Sequence, residues 1–128
     1  MNNLLLVEPD YILGNEYKTG LERAGWNVII AKSAQSAITA ADKVYPDIVI
    51  LEIQLIEHSG IEFLYEFRSY PEWQQIPVII QTQVPPSEFF ESWDLLKNEL
   101  GVVSYLYKPH VNLKKLISTA NSYIAIKM

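Results

Sequence analysis

Five short apolar runs, spread along the whole chain, constrain the fold more than any other feature of this sequence. They cover residues 4–7, 28–31, 48–51, 78–80 and 102–107. Apart from Ser104 and the tyrosines of the last run, every residue in them is aliphatic. Runs of this length that are apolar on both faces are typical of strands buried under helices on both sides of a parallel sheet. All are far shorter than the ~20 apolar residues that a membrane span requires.

The segments between these runs carry apolar residues at the three- and four-residue spacing of amphipathic helices. Gly25 ends the first predicted helix and Ser33 caps the second. The third runs over residues 59–70, before Pro71, and the fifth begins near Asn112. Five alternating strand–helix units predict an α/β domain with a parallel sheet, right-handed crossovers and helices on both faces.

The fourth predicted helix is unusually aromatic. It starts after Pro86, and regular helical spacing puts Phe89 and Trp93 on its buried stripe. Phe90 lies about 100° from that stripe and is expected to face solvent. Because aromatic residues are enriched in protein interfaces, we treat Phe90, Trp93 and Tyr107 as candidate partner contacts. The alternative is core packing or an isolated exposed ring.

Polar side chains follow four of the five predicted strands. Glu8 and Asp10 follow the first, Glu52 the third, Thr82 the fourth and Lys108 the fifth. The carboxyl ends of parallel strands open on a crevice where ligands bind. Carboxylates that meet there favour a hard cation such as Mg²⁺, while a lysine and a hydroxyl can hold phosphoryl oxygens. The plain alternative is that Lys108 only neutralises Glu8 or Glu52, and Thr82 packs as an ordinary strand residue.

Charge and composition narrow the classes of function. The 128 residues fit one domain spanning positions 1–128, and the net charge is −5. The chain lacks the basic stripe that duplex DNA binding needs, so we expect no direct nucleic-acid contact. It has no cysteine, which excludes disulfides and thiol catalysis and fits a reducing, cytoplasmic setting. Its first residues show neither a signal peptide nor a membrane span.

Several segments resemble the receiver domain of bacterial response regulators, and the resemblance covers nearly the whole chain. It is carried by LLLVEPD at 4–10, AGWNV at 24–28, PDIVILEIQL at 46–55, IPVIIQT at 76–82 and YLYKP at 105–109. The resemblance implies a flavodoxin-like (βα)5 fold, with a doubly wound parallel sheet of five strands in the order 2-1-3-4-5. It also implies two-component signalling, in which a histidine kinase passes a phosphoryl group to an acid after the third strand.

The resemblance assigns roles to individual residues of this chain. Glu52 takes the phosphoacceptor position, Thr82 and Lys108 the positions that grip phosphoryl oxygens, and Tyr105 the aromatic switch. Pro109 becomes a candidate for a cis peptide bond after the lysine. The implied partner is a protein, either a histidine kinase or a downstream regulator, and a homodimer through the fourth helix, fifth strand and fifth helix is a further option.

Three residues depart from the family pattern. Glu52 replaces an aspartate, and its extra methylene moves the carboxylate by roughly one C–C bond, ~1.5 Å, more than in-line phosphoryl transfer tolerates. Pro9 removes the second acid after the first strand, so we expect either no cofactor or a weakly held Mg²⁺ on Glu8 and Glu52. Gln83 stands where a small residue is usual and crowds the pocket.

Two interpretations of Glu52 follow, and in both the domain acts by binding rather than as an enzyme. In the first, its carboxylate imitates the aspartyl phosphate and holds an active-like state. In the second, which we favour slightly, it pairs inertly with Lys108.

Three alternatives stay open: a receiver that is still phosphorylated on Glu52 or another acid, a small flavodoxin-like enzyme or nucleotide binder, and a fragment of a longer regulator. The nucleotide binder needs a phosphate cradle after the first strand, where this chain has Glu8-Pro9-Asp10.

Overall fold

A five-stranded parallel sheet forms the centre of the computed structural model, which describes residues 2–127. The strands are β1 (Asn3–Val7), β2 (Asn27–Ala31), β3 (Ile48–Leu51), β4 (Val78–Thr82) and β5 (Val102–Tyr107). The α-helices are α1 (Tyr11–Arg23), α2 (Ala34–Lys43), α3 (Gly60–Ser69) and α4 (Leu113–Lys127). The strand order is β2-β1-β3-β4-β5, which confirms the predicted fold.

Both faces of the sheet are buried, which explains why the strands read as unbroken apolar runs. Leu5 packs in the core shared with α2 and α3, whereas its neighbour Leu6 packs in the core shared with α1 and α4. Successive strand residues point to opposite faces, so a strand covered on both sides has no solvent-facing position to fill with a polar residue. Each fully buried leucine contributes roughly 1.5–3 kcal/mol relative to an exposed one.

The predicted starts of α2, α3 and α4 are confirmed by their caps. Ser33 accepts a hydrogen bond from the backbone N–H of Ser36 (3.1 Å), and Ser59 accepts one from the N–H of Glu62 (3.1 Å). Asn112 caps α4 in the same way. These side-chain oxygens satisfy helix-end donors that have no partner inside the helix. None of the described helices is long and apolar enough to cross a bilayer.

The segment between β4 and β5 differs from the regular helix that the spacing predicts. Residues Pro86–Ser92 form a 3-10 helix and Leu95–Glu99 a π-helical turn. Over four residues, a 3-10 helix advances about 80° further than an α-helix does. Trp93 is therefore rotated away from the buried side and is 37% exposed, so its prediction as a core residue was wrong. Phe89 stays partly buried, and Phe90 is exposed as predicted.

Arg68 of α3 connects the segments that lead into β4 and β5, at the amino-terminal ends of these strands. Its guanidinium donates hydrogen bonds to the backbone carbonyls of Leu100 (2.9 Å), Trp73 and Ile76. Gly101 lies against the same guanidinium and has a φ of 69°, in the left-handed region that favours glycine. A side chain at this position would collide with Arg68. These contacts hold the segment just before β5 against α3.

Candidate functional site

Lys108 lies between two buried glutamates at the carboxyl edge of the sheet. Its Nζ is 2.7 Å from Oε1 of Glu8 and 2.8 Å from Oε1 of Glu52. Each of the three residues directly follows a strand, namely β1, β3 or β5, and the order of the parallel strands brings these ends together. The glutamates are only 2% and 5% exposed. The convergence that the sequence predicted is thus present in the fold.

The remaining carboxylate oxygens of this ion triad also have partners. Oε2 of Glu8 accepts the backbone N–H of Asp10 (3.1 Å). Oε2 of Glu52 accepts the backbone N–H of Gln54 (3.0 Å) and the hydroxyl of Thr82. Buried charges are tolerated only when their hydrogen-bonding capacity is filled. Here every oxygen of both carboxylates is engaged within the domain.

The environment of Lys108 favours its charged form. Burial is the largest single influence and by itself lowers the pKa of Lys108. The hydrogen bonds to Glu52 and Glu8, together with the attraction of both carboxylates, outweigh that effect and raise the pKa above its usual value. The folded pocket therefore stabilises the ammonium form of Lys108.

A chain of hydrogen bonds links Glu52 to Tyr105. Thr82 donates to Glu52, and its Oγ1 accepts the N–H of Val84 (3.3 Å). The carbonyl of Val84 in turn accepts the hydroxyl of Tyr105 (2.7 Å). Burial, followed by the negative charge of Glu52, raises the pKa of Tyr105 to about 12. The half-buried phenol therefore stays protonated as a donor, and Val84 connects it to the pocket.

Asp10 does not join the acidic pocket, contrary to its predicted role. Its Oδ1 accepts the backbone N–H of Leu13 (2.9 Å), so it is the N-cap of α1 and is exposed. A capping aspartate must keep its carboxylate at the helix end. Only its backbone N–H reaches the pocket, through Glu8.

The peptide bond before Pro109 is trans, like every peptide bond of the described residues, so the expected cis bond is wrong. The physical reason is the turn that follows β5. Lys108–His110 form one turn of 3-10 helix, closed by the N–H of Val111 on the carbonyl of Lys108 (3.2 Å). Proline fits near the start of such a turn in the trans form, because its fixed φ suits the turn and its missing N–H is not needed there.

Among the aromatic candidates for a partner surface, Trp93 lies beside Tyr105. The ring centre of Tyr105 is 6.4 Å from that of Trp93 and 6.0 Å from that of Phe89. Phe90 is 83% exposed. Tyr107 lies two residues along β5 from Tyr105, so it shares that face of the sheet.

Sequence reasoning missed the groups that are part of the backbone. The N–H of Gln54 and the N–H and carbonyl of Val84 carry the links described above, and no residue type signals them.

Sequence reasoning also missed Lys32, which follows β2 beside Glu8. Among the side chains that the structure describes, the Lys32 ammonium is the one buried polar group without a hydrogen-bond partner, and it lies 4.0 Å from the ring centre of Tyr11. A lysine directly after an apolar strand is the signal that could have drawn attention to it.

The chain matches a known protein family over most of its length. The model of the response regulator receiver domain matches residues 4–121. The chain belongs to the response regulator receiver family. Two curated relatives are transcriptional regulators: KdpE of Escherichia coli (31% identity over 109 residues) and CpxR of Klebsiella pneumoniae (33% over 109 residues). The matches cover 85% of this chain but only 45% and 44% of those proteins, so the receiver chain spans less than half of their length.

Other similar proteins match this receiver domain from end to end. The polar-differentiation response regulator DivK of Brucella ovis is 26% identical over 95% of both chains. The solved structure of the chemotaxis protein CheY4 of Vibrio cholerae superposes with a TM-score of 0.84 at 23% identity, covering 95% of this chain and 98% of CheY4. The likeness to CheY4 shows the shared fold. The family assignment speaks against the alternative of a flavodoxin-like enzyme or nucleotide binder.

The receiver resemblance implies a Mg²⁺ ion between the acids that follow β1 and β3, but the residues of this chain do not fit one. Mg²⁺ needs about six oxygen ligands in near-octahedral geometry. Glu8 and Glu52 are the only acids in the pocket among the described residues, and the ammonium of Lys108 lies between them. Pro9 contributes no side-chain oxygen. Within residues 2–127, no three His, Asp or Glu side chains cluster in a way that could hold a metal.

Proposed function

We propose that this receiver domain signals through protein contacts alone, without accepting a phosphoryl group on Glu52. The observation that carries the proposal is the engagement of both Glu52 oxygens with Lys108 and Thr82. These are the two groups that the family resemblance assigns to the phosphoryl oxygens. A phosphoryl donor would have to displace both of them, and the longer side chain already places its carboxylate where they can grip it.

We further propose that Glu52 takes the place of the aspartyl phosphate as the ligand of the switch. An inert ion pair with Lys108 would leave Thr82 free, whereas Thr82 donates to Glu52 and is linked through Val84 to Tyr105. This link favours the first interpretation of Glu52 over the inert one. The carboxylate carries one negative charge where a phosphoryl group carries up to about two. We therefore expect a domain set in one signalling state, held less firmly than phosphate would hold it.

The partner in this proposal is a protein, a histidine kinase or a downstream regulator, that binds around Phe90, Trp93 and Tyr107. The first two are exposed and lie in the segment whose rings contact Tyr105, so the state of the switch determines how they are presented. A second copy of the chain, docked through the same segment with β5 and α4, is the other protein partner to test. No enzymatic activity, metal cofactor or nucleic-acid contact is part of the proposal, and the setting is the cytoplasm.

Phosphoryl transfer is tested by incubating the domain with acetyl phosphate and Mg²⁺ and measuring its mass. We expect no change in mass. A gain of one phosphoryl group that disappears in Glu52→Gln would overturn the proposal. A gain in mass that persists in Glu52→Gln would instead show that another acid accepts the phosphoryl group. The same chain carrying Glu52→Asp is the matched comparison, because it restores the acceptor type of the family at the same position.

A further inference from the structure

We infer that Lys108 is the built-in cation of this pocket, occupying the place at which a divalent ion would bridge Glu8 and Glu52. A cation shared by the two carboxylates must lie close to one oxygen of each. The Lys108 Nζ does so at 2.7 and 2.8 Å. The receiver domain therefore keeps its pocket ordered without a metal. The inference concerns the pocket of the proposed function, but it rests on these distances and charges alone.

The other oxygens of the two carboxylates leave little for a metal to bind. The backbone N–H groups of Asp10 and Gln54 and the hydroxyl of Thr82 already donate to them. Hydrogen-bond donors aimed at an oxygen compete with a metal for its lone pairs. A Mg²⁺ ion would need to displace these donors as well as the ammonium, because it demands oxygen ligands at ~2.0–2.1 Å on all sides.

A metal ion that displaced Lys108 would leave its buried ammonium without hydrogen-bond acceptors. The Lys108 ammonium has hydrogen bonds with Glu8 and Glu52 and with no other described group. A buried ammonium that loses its acceptors is strongly disfavoured.

Lys108 is therefore a positioning residue, and a variant without its ammonium should bind a cation between Glu8 and Glu52. Replacing Lys108 by methionine removes the ammonium, keeps the apolar stem and leaves two buried carboxylates facing each other. Carboxylates in that arrangement repel and favour a divalent cation. The Lys108→Met domain should thus depend on Mg²⁺ where the wild-type domain does not.

The test compares thermal unfolding of the wild-type chain, Lys108→Met and Lys114→Met in EDTA and in millimolar Mg²⁺ at matched ionic strength. Lys114 is an exposed lysine of α4 and controls for loss of a positive charge. We expect the midpoints of the wild type and Lys114→Met not to respond to Mg²⁺. The midpoint of Lys108→Met should be lower in EDTA and rise by several degrees in Mg²⁺. If Lys108→Met is unfolded in EDTA, it should fold when Mg²⁺ is added.

Two results would overturn the inference. One is a wild-type domain that Mg²⁺ stabilises, or in which Mn²⁺ selectively broadens the backbone amide signals of Asp10 and Gln54. The other is a Lys108→Met variant that Mg²⁺ neither stabilises nor folds. No phosphoryl donor is present, so the outcome is separate from the transfer test. A domain that binds Mg²⁺ yet takes up no phosphoryl group would refute this inference and leave the proposed function standing.

Discussion

Thr82, the last residue of β4, donates its hydroxyl hydrogen bond to Glu52, which follows β3, and both side chains are buried. The contact joins two adjacent strand ends on the side of the pocket that leads to the aromatic segment, residues 89–93, whose rings contact Tyr105. The backbone N–H of Val84 donates to the same hydroxyl oxygen, and the carbonyl of Val84 accepts from Tyr105, so hydrogen bonds connect the Thr82–Glu52 contact to Tyr105.

Removing the Thr82 hydroxyl should therefore disturb Tyr105 as well as the pocket. Thr82→Val keeps the shape of the side chain but leaves the buried Oε2 of Glu52 with one donor fewer, which costs about 1–3 kcal/mol. Thr82→Ser keeps the hydroxyl and should stay within about 1 kcal/mol of wild type. Denaturant unfolding gives the stabilities, and Trp93 fluorescence, quenched or shifted by movement of the neighbouring Tyr105 ring, reports the switch. Equal fluorescence in both variants would disprove the coupling.

Shortening residue 52 should release the same switch while keeping the charge. Glu52→Asp withdraws the carboxylate by about one C–C bond, ~1.5 Å, which is enough to break its contact with Thr82. Glu52→Gln keeps the length and an acceptor for Thr82 but removes the charge that attracts Lys108. We expect the Tyr105 ring signals in NMR spectra to shift in Glu52→Asp and to stay near wild type in Glu52→Gln. The reverse pattern would show that charge, not reach, sets the state.

Alkaline pH should weaken the fold in part through Tyr105. Its pKa rises on folding from 10.0 to about 12, so the folded state favours the protonated phenol. The resulting stabilisation is complete below pH 10 and is lost as the pH rises toward 12. The raised pKa of Lys108 acts in the same direction, since the folded state also favours the ammonium.

Spectrophotometric titration of tyrosinate should then show a tyrosine that ionises near pH 12 and is missing from Tyr105→Phe. Stability measured across the same pH range should fall less steeply in that variant than in wild type. A wild-type titration in which all tyrosines ionise near their usual pKa would contradict the burial of this phenol.

The sequence predicted the parts of this molecule that depend on regular patterns and side-chain type. The five runs gave the strands, and Glu8, Glu52 and Lys108 could be placed together because parallel strands share a carboxyl edge. Asp10 was misplaced because an aspartate directly before a helix has a competing local use as a cap. Trp93 was misplaced because a regular helix was assumed where the chain combines 3-10 and π turns.

Two glycines with a left-handed backbone, Gly25 and Gly101, allow a matched test of how much the Arg68 hydrogen bonds contribute to stability. Gly25 (φ 105°) has open space where a side chain would begin, whereas Gly101 (φ 69°) faces the Arg68 guanidinium. Alanine at either position strains the backbone by roughly 1–2 kcal/mol. Gly101→Ala must in addition push Arg68 off its carbonyl partners, so its loss in unfolding free energy should exceed that of Gly25→Ala by about 1 kcal/mol or more. Equal losses would show that the Arg68 contacts contribute nothing to stability.

Phe90 and Ile56 are matched in exposure, at 83% and 84%, but only Phe90 lies in the aromatic segment beside Tyr105. Alanine at either position should change stability by less than about 0.5 kcal/mol, because neither side chain is buried. If the aromatic segment is the partner surface, Phe90→Ala should weaken partner binding by about tenfold or more, and Ile56→Ala should not.

Affinity capture with wild-type and both variant baits identifies the candidate partner, and titration calorimetry with that purified protein gives the affinities. Sedimentation of the three chains alone tests self-association. Loss of binding in Ile56→Ala with retention in Phe90→Ala would move the interface to the loop after β3, next to the pocket itself.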